Sequence, residues 1–152
     1  MRKNKKIEDL IKKVKEYAIE IYKELGNGWS EQIYQKAMEV ILRENKIEYE
    51  SQRILPVNFK GYVVGEGKPD LIIWVNTGKK RVAIVIDLKS TQKIEEEHIV
   101  QVKRYIQELK KQLKNNEEVY PIGFVFDFTS PSKRKIKENV EEREGFKIVK
   151  VK

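Results

Sequence analysis

The chain of 152 residues contains no cysteine and a single histidine, His98. The absence of cysteine excludes disulfides, thiolate metal sites and cysteine nucleophiles. A single histidine likewise excludes a zinc site built from several imidazoles. Any metal ion must therefore be held mainly by carboxylates, which favours hard cations such as Mg²⁺ or Mn²⁺.

The sequence also lacks a long apolar run and any stretch rich in proline, glycine or serine. No segment is long enough to span a bilayer, and no signal-peptide core follows the basic residues 2–6. We therefore expect a cytoplasmic protein without a membrane partner. Because neither a linker nor an internal repeat is visible, we expect one domain over residues 1–152. Its N-terminal helix (7–25) and its C-terminal segment (131–152) would then be peripheral elements.

Basic residues outnumber acidic ones, 32 to 24, which gives a net charge of +8. This balance suggests a polyanionic partner, either nucleic acid or an anionic membrane surface. The alternative is a soluble, lysine-rich protein. Positive charge is concentrated in residues 132–137, which either contact phosphates or form a solvated surface segment.

Apolar residues recur at helical spacing in three segments, 7–25, 30–45 and 95–113. Gly26-Asn27-Gly28 ends the first helix, and Ser30 is a candidate N-cap for the second. Glu31, in the first turn of the second helix, lies at the edge of its apolar face. It either complements the helix dipole or points inward at a site.

Short apolar runs predict strands over 62–64, 71–75, 82–86, 119–128 and 146–151, with an extended stretch over 47–60. Pro56 places that stretch at a sheet edge or a bend. A tight turn at Lys60-Gly61 leads to residue 62, and residues 65–68 are expected to be loop. This order of elements predicts an α/β (α+β) fold, with a central mixed sheet flanked by helices.

The strand Val82–Ile86 is mostly β-branched and reads as buried on both faces. It ends in Asp87 and Lys89, which share one face because residues two apart on a strand point the same way. These two charges form either a salt bridge that caps the strand or part of a binding site. An antiparallel hairpin with the preceding strand would make Asp70 a neighbour of Asp87.

Glu31, Asp70, Asp87 and Lys89 thus come from a helix and two adjacent strands. Two or three carboxylates can hold a divalent cation, and a nearby lysine can orient or help deprotonate a water molecule. On the third helix, His98, Gln101 and Tyr105 follow one border of the apolar stripe. They either line a cleft or pack as ordinary boundary residues.

Several motifs resemble those of known nucleases. The segment Gly28–Tyr34 resembles the Gly-x-x-Glu-x-x-Tyr pattern of the GxxExxY family. Pro69-Asp70, followed after an apolar run by Asp87-Leu88-Lys89, resembles the motif of the PD-(D/E)xK nuclease superfamily. Gln101 to Tyr105 is similar to the Gln-x-x-x-Tyr motif of its RecB-like branch. The resemblance covers about residues 25–128.

The resemblance implies a restriction-endonuclease-like core and Mg²⁺-dependent hydrolysis of DNA phosphodiesters, with Mn²⁺ as an alternative cofactor. Asp70 and Asp87 would be the metal ligands, and Asp87 stands where many relatives carry glutamate. Glu31 would be an auxiliary ligand, either directly or through water. Lys89 would be the catalytic lysine. The remaining candidates, which would support the site or contact substrate, are Gln101, Tyr105 and, as a weaker candidate, His98.

Two other functions stay open at this point. One is a nuclease-fold module that binds nucleic acid without cutting it, and the other is a basic structural or protein-interaction domain. The sequence does not choose among forms of DNA and does not exclude RNA. Because cutting two strands is easiest with two sites, we expect a symmetric homodimer.

Overall fold

The computed structural model describes residues 2–90, 96–128, 140–143 and 146–152. The elements, in chain order, are α1 (Arg2–Leu25), α2 (Glu31–Glu44), β1 (Tyr49–Ser51), β2 (Leu55–Phe59), β3 (Tyr62–Gly67), β4 (Leu71–Asn76), β5 (Arg81–Lys89), α3 (Glu96–Gln112), β6 (Glu117–Val119), β7 (Gly123–Asp127), β8 (Val140–Arg143) and β9 (Phe146–Val151). The basic residues 132–137 lie outside the described residues.

Seven strands form one sheet in the order β1-β4-β5-β7-β9-β8, with β6 also paired to β5, while β2 and β3 form a separate hairpin. Strand β5 runs antiparallel to β4 and parallel to β6 and β7. The sheet is therefore mixed. The central strand β5 receives backbone hydrogen bonds on both edges, which accounts for the burial of residues 82–88.

Alternation along β5 divides the core into two layers. Ile84, Ile86 and Leu88 pack into the cluster that also contains the apolar faces of α1 and α2. Ala83 and Val85 pack on the opposite face, against α3. The sheet is thus flanked by helices on both faces, as the sequence predicts. Asp87 and Lys89 continue the series that faces α3, whereas Leu88 points toward α1.

Some predicted boundaries are wrong. Residues 65–67 were expected to be loop but belong to β3, because they pair with residues 55–57. The single strand predicted over 119–128 is two strands, β6 and β7, interrupted around Pro121, which has no N–H to donate. The first helix begins at residue 2 rather than 7, and β8 was not predicted.

Helix α3 lies so close to the sheet that position 123 accepts no side chain. A Cβ added to Gly123 would lie 2.7 Å from Cγ1 of Val102 and 3.2 Å from the carbonyl oxygen of Val85. The second of these atoms belongs to the central strand and cannot move aside cheaply. Glycine at this position therefore sets the distance between α3 and the sheet.

We expect Gly123→Ala to lower the free energy of unfolding by about 1–3 kcal/mol, the usual cost of overpacking a core. Urea unfolding followed by circular dichroism measures this loss. Gly65→Ala is the matched control: a Cβ there meets no atom within 4 Å, so stability should change by less than about 0.5 kcal/mol. Equal effects at the two positions would contradict the close approach of α3.

Candidate active site

The start of β4 and the end of β5 meet at one edge of the sheet. The register pairs Leu71 with Ile86, so Asp70 lies beside Asp87, as predicted. The backbone N–H of Asp70 donates to Oδ1 of Asp87 at 3.0 Å, and the N–H of Leu88 donates to Oδ2 of Asp70 at 2.8 Å. Each carboxylate is therefore held by the backbone of the other strand.

Lys89 completes this edge. Its Nζ lies 3.6 Å from Oδ2 of Asp87, and its side chain is 16% exposed against 3% for Asp87. The strand-end ion pair considered from the sequence is thus present, and it does not exclude a binding role. The aspartate is buried and fixed, while the ammonium group reaches the rim, where a bound phosphate could meet it.

Burial makes the charged form of both carboxylates costly. Desolvation, reinforced by the negative charge of Asp70, raises the pKa of Asp87 to about 6, although Lys89 and the N–H of Asp70 oppose the shift. Burial likewise raises the pKa of Asp70. A buried and a half-buried carboxylate share one ammonium group here, so the site favours additional positive charge.

Helix α3 brings Tyr105 to the same site from above the sheet. Burial, together with the charge of Asp87, raises the pKa of Tyr105 to about 12, although the Lys68 backbone and the Gln101 side chain each act to lower this pKa. The phenol therefore stays protonated at neutral pH and can donate a hydrogen bond. Its ring packs on Gly67, where an added Cβ would lie 2.7 Å from Cε1.

Two glutamines that the sequence analysis missed support Asp70. Gln52 donates from Nε2 to Oδ1 of Asp70 at 3.3 Å and to Oε1 of Gln35 at 3.2 Å. Gln35 in turn donates to the carbonyl oxygen of Asp70 at 3.3 Å. Gln52 adopts a positive φ of 56°, which is uncommon for a residue other than glycine and is often found at functional sites.

One of these two positions could have been found from the sequence. Gln35 lies four residues after Glu31, so helical spacing puts both on the same side of α2. Gln52 carries no comparable signal, because its position depends on a backbone turn after β1. Together with Asp70, these three residues line an open groove of ≈ 830 Å³ beside α2.

Glu31 lies at the edge of this groove rather than between the aspartates. Its Oε2 accepts a hydrogen bond from the backbone N–H of Ser90 at 3.4 Å, and its charge contributes to the raised pKa of Asp70. No group of three or more acidic or histidine side chains in the described part of the chain is arranged to hold a metal ion. The structure thus joins Asp70 and Asp87 by hydrogen bonds, while Glu31 lines the same groove as Asp70 and acts on it through its charge.

The segment that resembles the Gly-x-x-Glu-x-x-Tyr pattern positions Glu31. The hydroxyl of Tyr34 donates to the carbonyl of Gly26 at 2.6 Å and accepts from the N–H of Trp29 at 3.3 Å. Its ring stacks on Phe128, with 4.3 Å between centroids. This tyrosine is fully buried, so it anchors the α1–α2 turn on the end of β7.

A second buried ion pair continues across the same face of the sheet. Asp127 pairs in register with Lys89 on one side and with Lys147 on the other. Nζ of Lys147 lies 3.7 Å from Oδ2 of Asp127, and both side chains are buried. The sequence analysis assigned neither residue to the site, because each stands in a run read as ordinary strand.

The chain matches the model of the PD-(D/E)XK nuclease superfamily over residues 8–138. Because the match spans most of its length, the chain belongs to this superfamily, and its mixed sheet flanked by helices is the restriction-endonuclease-like fold expected from the motifs. Membership suggests nuclease activity on nucleic acid with a divalent metal. No curated protein and no solved structure matched the chain. No helix in the described ranges is long and apolar enough to cross a membrane.

We expect Asp87→Asn to stabilise the metal-free protein at pH 8 by on the order of 1–3 kcal/mol. The folded wild type binds the Asp87 proton more tightly than the unfolded chain, since folding raises this pKa to about 6. Wild-type stability should therefore fall as the pH rises from about 4 through about 6, while the variant lacks this loss. Urea unfolding in EDTA across this pH range measures the difference.

The control for this measurement is Asp9→Asn, which removes an exposed carboxylate on α1. It should give no comparable pH-dependent gain. A gain for Asp87→Asn that stayed constant from pH 4 to pH 8 would show that the carboxyl of Asp87 is not destabilised by burial.

Proposed function

We propose that this protein is a metal-dependent nuclease that hydrolyses DNA phosphodiester bonds. The observation that carries the proposal is the pair of mutually repelling carboxylates, half-buried Asp70 and buried Asp87, beside Lys89 at one sheet edge. Such a pair costs stability unless a cation joins it. Superfamily membership supports hydrolysis as the chemistry, and the net charge of +8 supports a polyanionic substrate.

The donor set fits a hard divalent cation. Asp70 and Asp87 would hold Mg²⁺, or Mn²⁺ in its place, because both offer carboxylate oxygens with unused lone pairs. Glu31 is an auxiliary ligand, acting through water or after a side-chain movement from Ser90. When bound, the cation supplies a Lewis acid for the phosphate and charge that offsets the two carboxylates.

The chain's own groups supply the remaining functions. Lys89, held at 3.6 Å from Asp87, orients the attacking water and neutralises charge that develops on the phosphate. Tyr105 donates a hydrogen bond toward a phosphate oxygen, because its phenol stays protonated. Gln101 orients that hydroxyl, and Gln35 and Gln52 hold Asp70 in place.

The shape of the surface around the site suits a long nucleic-acid strand as the substrate. The site lies between the groove beside α2 and a second open groove, of ≈ 1020 Å³, between α3 and the β2–β3 hairpin. Gln101, Tyr105 and Gly67 line the second groove. A nucleic-acid strand that followed both grooves would pass over Asp70 and Asp87.

We further propose that the chain is one domain, that it belongs to the GxxExxY branch and that it acts in the cytoplasm as a homodimer.

Purified protein should cleave DNA with Mg²⁺ or Mn²⁺ and lose the activity in EDTA. Asp70→Asn, Asp87→Asn and Lys89→Ala should each lower the cleavage rate at least about 100-fold, because each removes a group needed in the transition state. Gel assays over single-stranded, duplex, branched and nicked DNA, with RNA in parallel, measure the rates.

The exposed residues Glu44 and Lys79 provide matched controls, as Glu44→Gln and Lys79→Ala should cleave like the wild type. Cleavage of RNA but not of DNA would correct the substrate. Tight DNA binding without turnover under any divalent cation would contradict the nuclease proposal and favour a module that only binds nucleic acid.

Gln52→Ala should raise the Mg²⁺ concentration needed for half-maximal cleavage about tenfold, because residues that orient a metal ligand commonly contribute 10–100-fold to affinity. The rate at saturating Mg²⁺ should change less, since Gln52 contacts Asp70 and not the substrate. Gln107→Ala, an exposed glutamine on α3, is the control. A lower saturating rate with an unchanged Mg²⁺ requirement would contradict this role.

A further inference from the structure

The β2–β3 hairpin stands outside the seven-stranded sheet. Its turn, Lys60-Gly61, has positive φ at both residues, 52° and 83°, as tight hairpins require. Large apolar side chains are exposed along it and just before it, namely Ile54, Val57, Phe59, Tyr62, Val63 and Val64. So many exposed apolar side chains on one short hairpin indicate a binding surface.

Cross-strand register sorts these residues onto two faces. Phe59 pairs with Tyr62, Val57 pairs with Gly65, and Leu55 pairs with Gly67. Directly paired residues share a face, and so do residues two apart on β2, such as Phe59 and Val57. On β3 the pairing with β2 shifts by one residue between positions 63 and 65, so alternation does not continue through this bulge and the face of each β3 residue follows from its β2 partner. One face therefore carries two aromatic rings near the tip, 61% and 75% exposed, followed by valine beside glycine toward the base. We call this the aromatic face of the hairpin.

The aromatic face leads into the candidate active site. At its base, Gly67 lies under the ring of Tyr105, and the backbone of the next residue, Lys68, lowers the pKa of the Tyr105 hydroxyl against the effect of burial. Asp70 follows two residues later. Val57 and Gly67 line the same groove as Tyr105. A ligand that extends along this face from the tip to the base therefore arrives where the substrate has to be.

Charge and shape identify the ligand. Near the tip of the hairpin, residues 57–64 carry one cation, Lys60, and no acidic residue, whereas Glu66 at the base forms an ion pair with Lys68 at 3.4 Å. Nζ of Lys60 lies 5.4 Å from the centroid of the Phe59 ring. Exposed aromatic rings beside cations bind unpaired bases, by stacking and by contacts with phosphate. The absence of a side chain at Gly65, where an added Cβ would meet no atom within 4 Å, leaves room for a flat group to approach the backbone.

We propose that the aromatic face binds unpaired bases of the substrate, so that the enzyme acts on nucleic acid with a single-stranded segment next to the scissile phosphate. This inference rests on the proposed nuclease function, and it adds the substrate class. Phe59 and Tyr62 stack on successive bases, and Lys60 contacts the adjoining phosphate. The bases of an intact duplex are already stacked on each other and offer no free face to these rings.

Binding of a fluorescein-labelled single-stranded oligonucleotide, measured by anisotropy in EDTA, tests the proposal without cleavage. Phe59→Ala and Tyr62→Ala should each weaken this binding about tenfold, as expected for the loss of a stacked base. Binding of the corresponding duplex should change less than about threefold, since backbone contacts are independent of stacking. Asn58→Ala with Val63→Ala, on the opposite face, is the control and should bind like the wild type.

Gly65→Val tests binding in a variant that is expected to fold as well as the wild type. A Cβ at position 65 meets no atom within 4 Å, and valine favours strands, so the thermal midpoint should stay the same or rise. The new side chain stands on the aromatic face beside Val57, so single-strand binding should fall about tenfold. Unchanged binding by this variant and by Phe59→Ala with Tyr62→Ala would overturn the proposal.

Light scattering tests whether the aromatic face binds a second copy of this chain instead of nucleic acid. If the wild type is a dimer, and Phe59→Ala with Tyr62→Ala is a monomer with unchanged oligonucleotide affinity, the aromatic face is a self-interface and the proposal is wrong. Hairpin-dependent binding without cleavage under any divalent cation would refute the nuclease function, and with it the substrate class, while supporting the binding of unpaired bases by the aromatic face. If Phe59→Ala with Tyr62→Ala still cleaves single-stranded substrates in preference to duplexes, this inference is wrong, and the nuclease function is unaffected.

Discussion

The site depends on a reciprocal exchange of hydrogen bonds between two neighbouring strands. The backbone N–H of Asp70 donates a hydrogen bond to the carboxylate of Asp87, and the backbone N–H of Leu88 donates one to the carboxylate of Asp70. The exchange fixes two like charges in a region that burial makes unfavourable for either. The unfavourable repulsion between these charges persists because β5 is paired on both edges and packed on both faces. The end of the strand therefore cannot move to relieve it. Rigidity of the central strand thus keeps the two carboxylates together, as the proposed cation site requires.

Much of this edge was predictable, because it follows from local patterns. The β-branched run before Asp87 specifies a buried strand, alternation puts Lys89 on the same face, and a short turn fixes the register that brings in Asp70. Helical spacing likewise placed Tyr105 beside the core stripe of α3. The site residues that sequence reasoning recovered are those whose positions depend on strand or helix periodicity together with one hairpin.

The contacts that were missed depend on other causes. Gln52 reaches Asp70 because the backbone turns at a positive φ after β1, which no periodic pattern encodes. Asp127 and Lys147 meet because β7 and β9 pair across a segment that the sequence does not resolve into elements. Residues 65–67 were assigned to loop because glycine weakens strands, whereas pairing within the hairpin outweighs that preference. A backbone turn, a non-local strand pairing and a hairpin pairing decided these three cases, and none of them leaves a periodic signal in the sequence.

The contact between Tyr105 and Gly67 has an evolutionary consequence. The ring occupies the space that a side chain at position 67 would need, so a larger residue at position 67 requires a change at position 105. A relative with a larger residue at 67 has to carry a smaller one at 105, and it then lacks the phenol. Loss of that tyrosine would in turn free the β2–β3 hairpin to change its angle against α3. In this superfamily, hairpin geometry and the identity of the hydrogen-bond donor at the site should therefore diverge together.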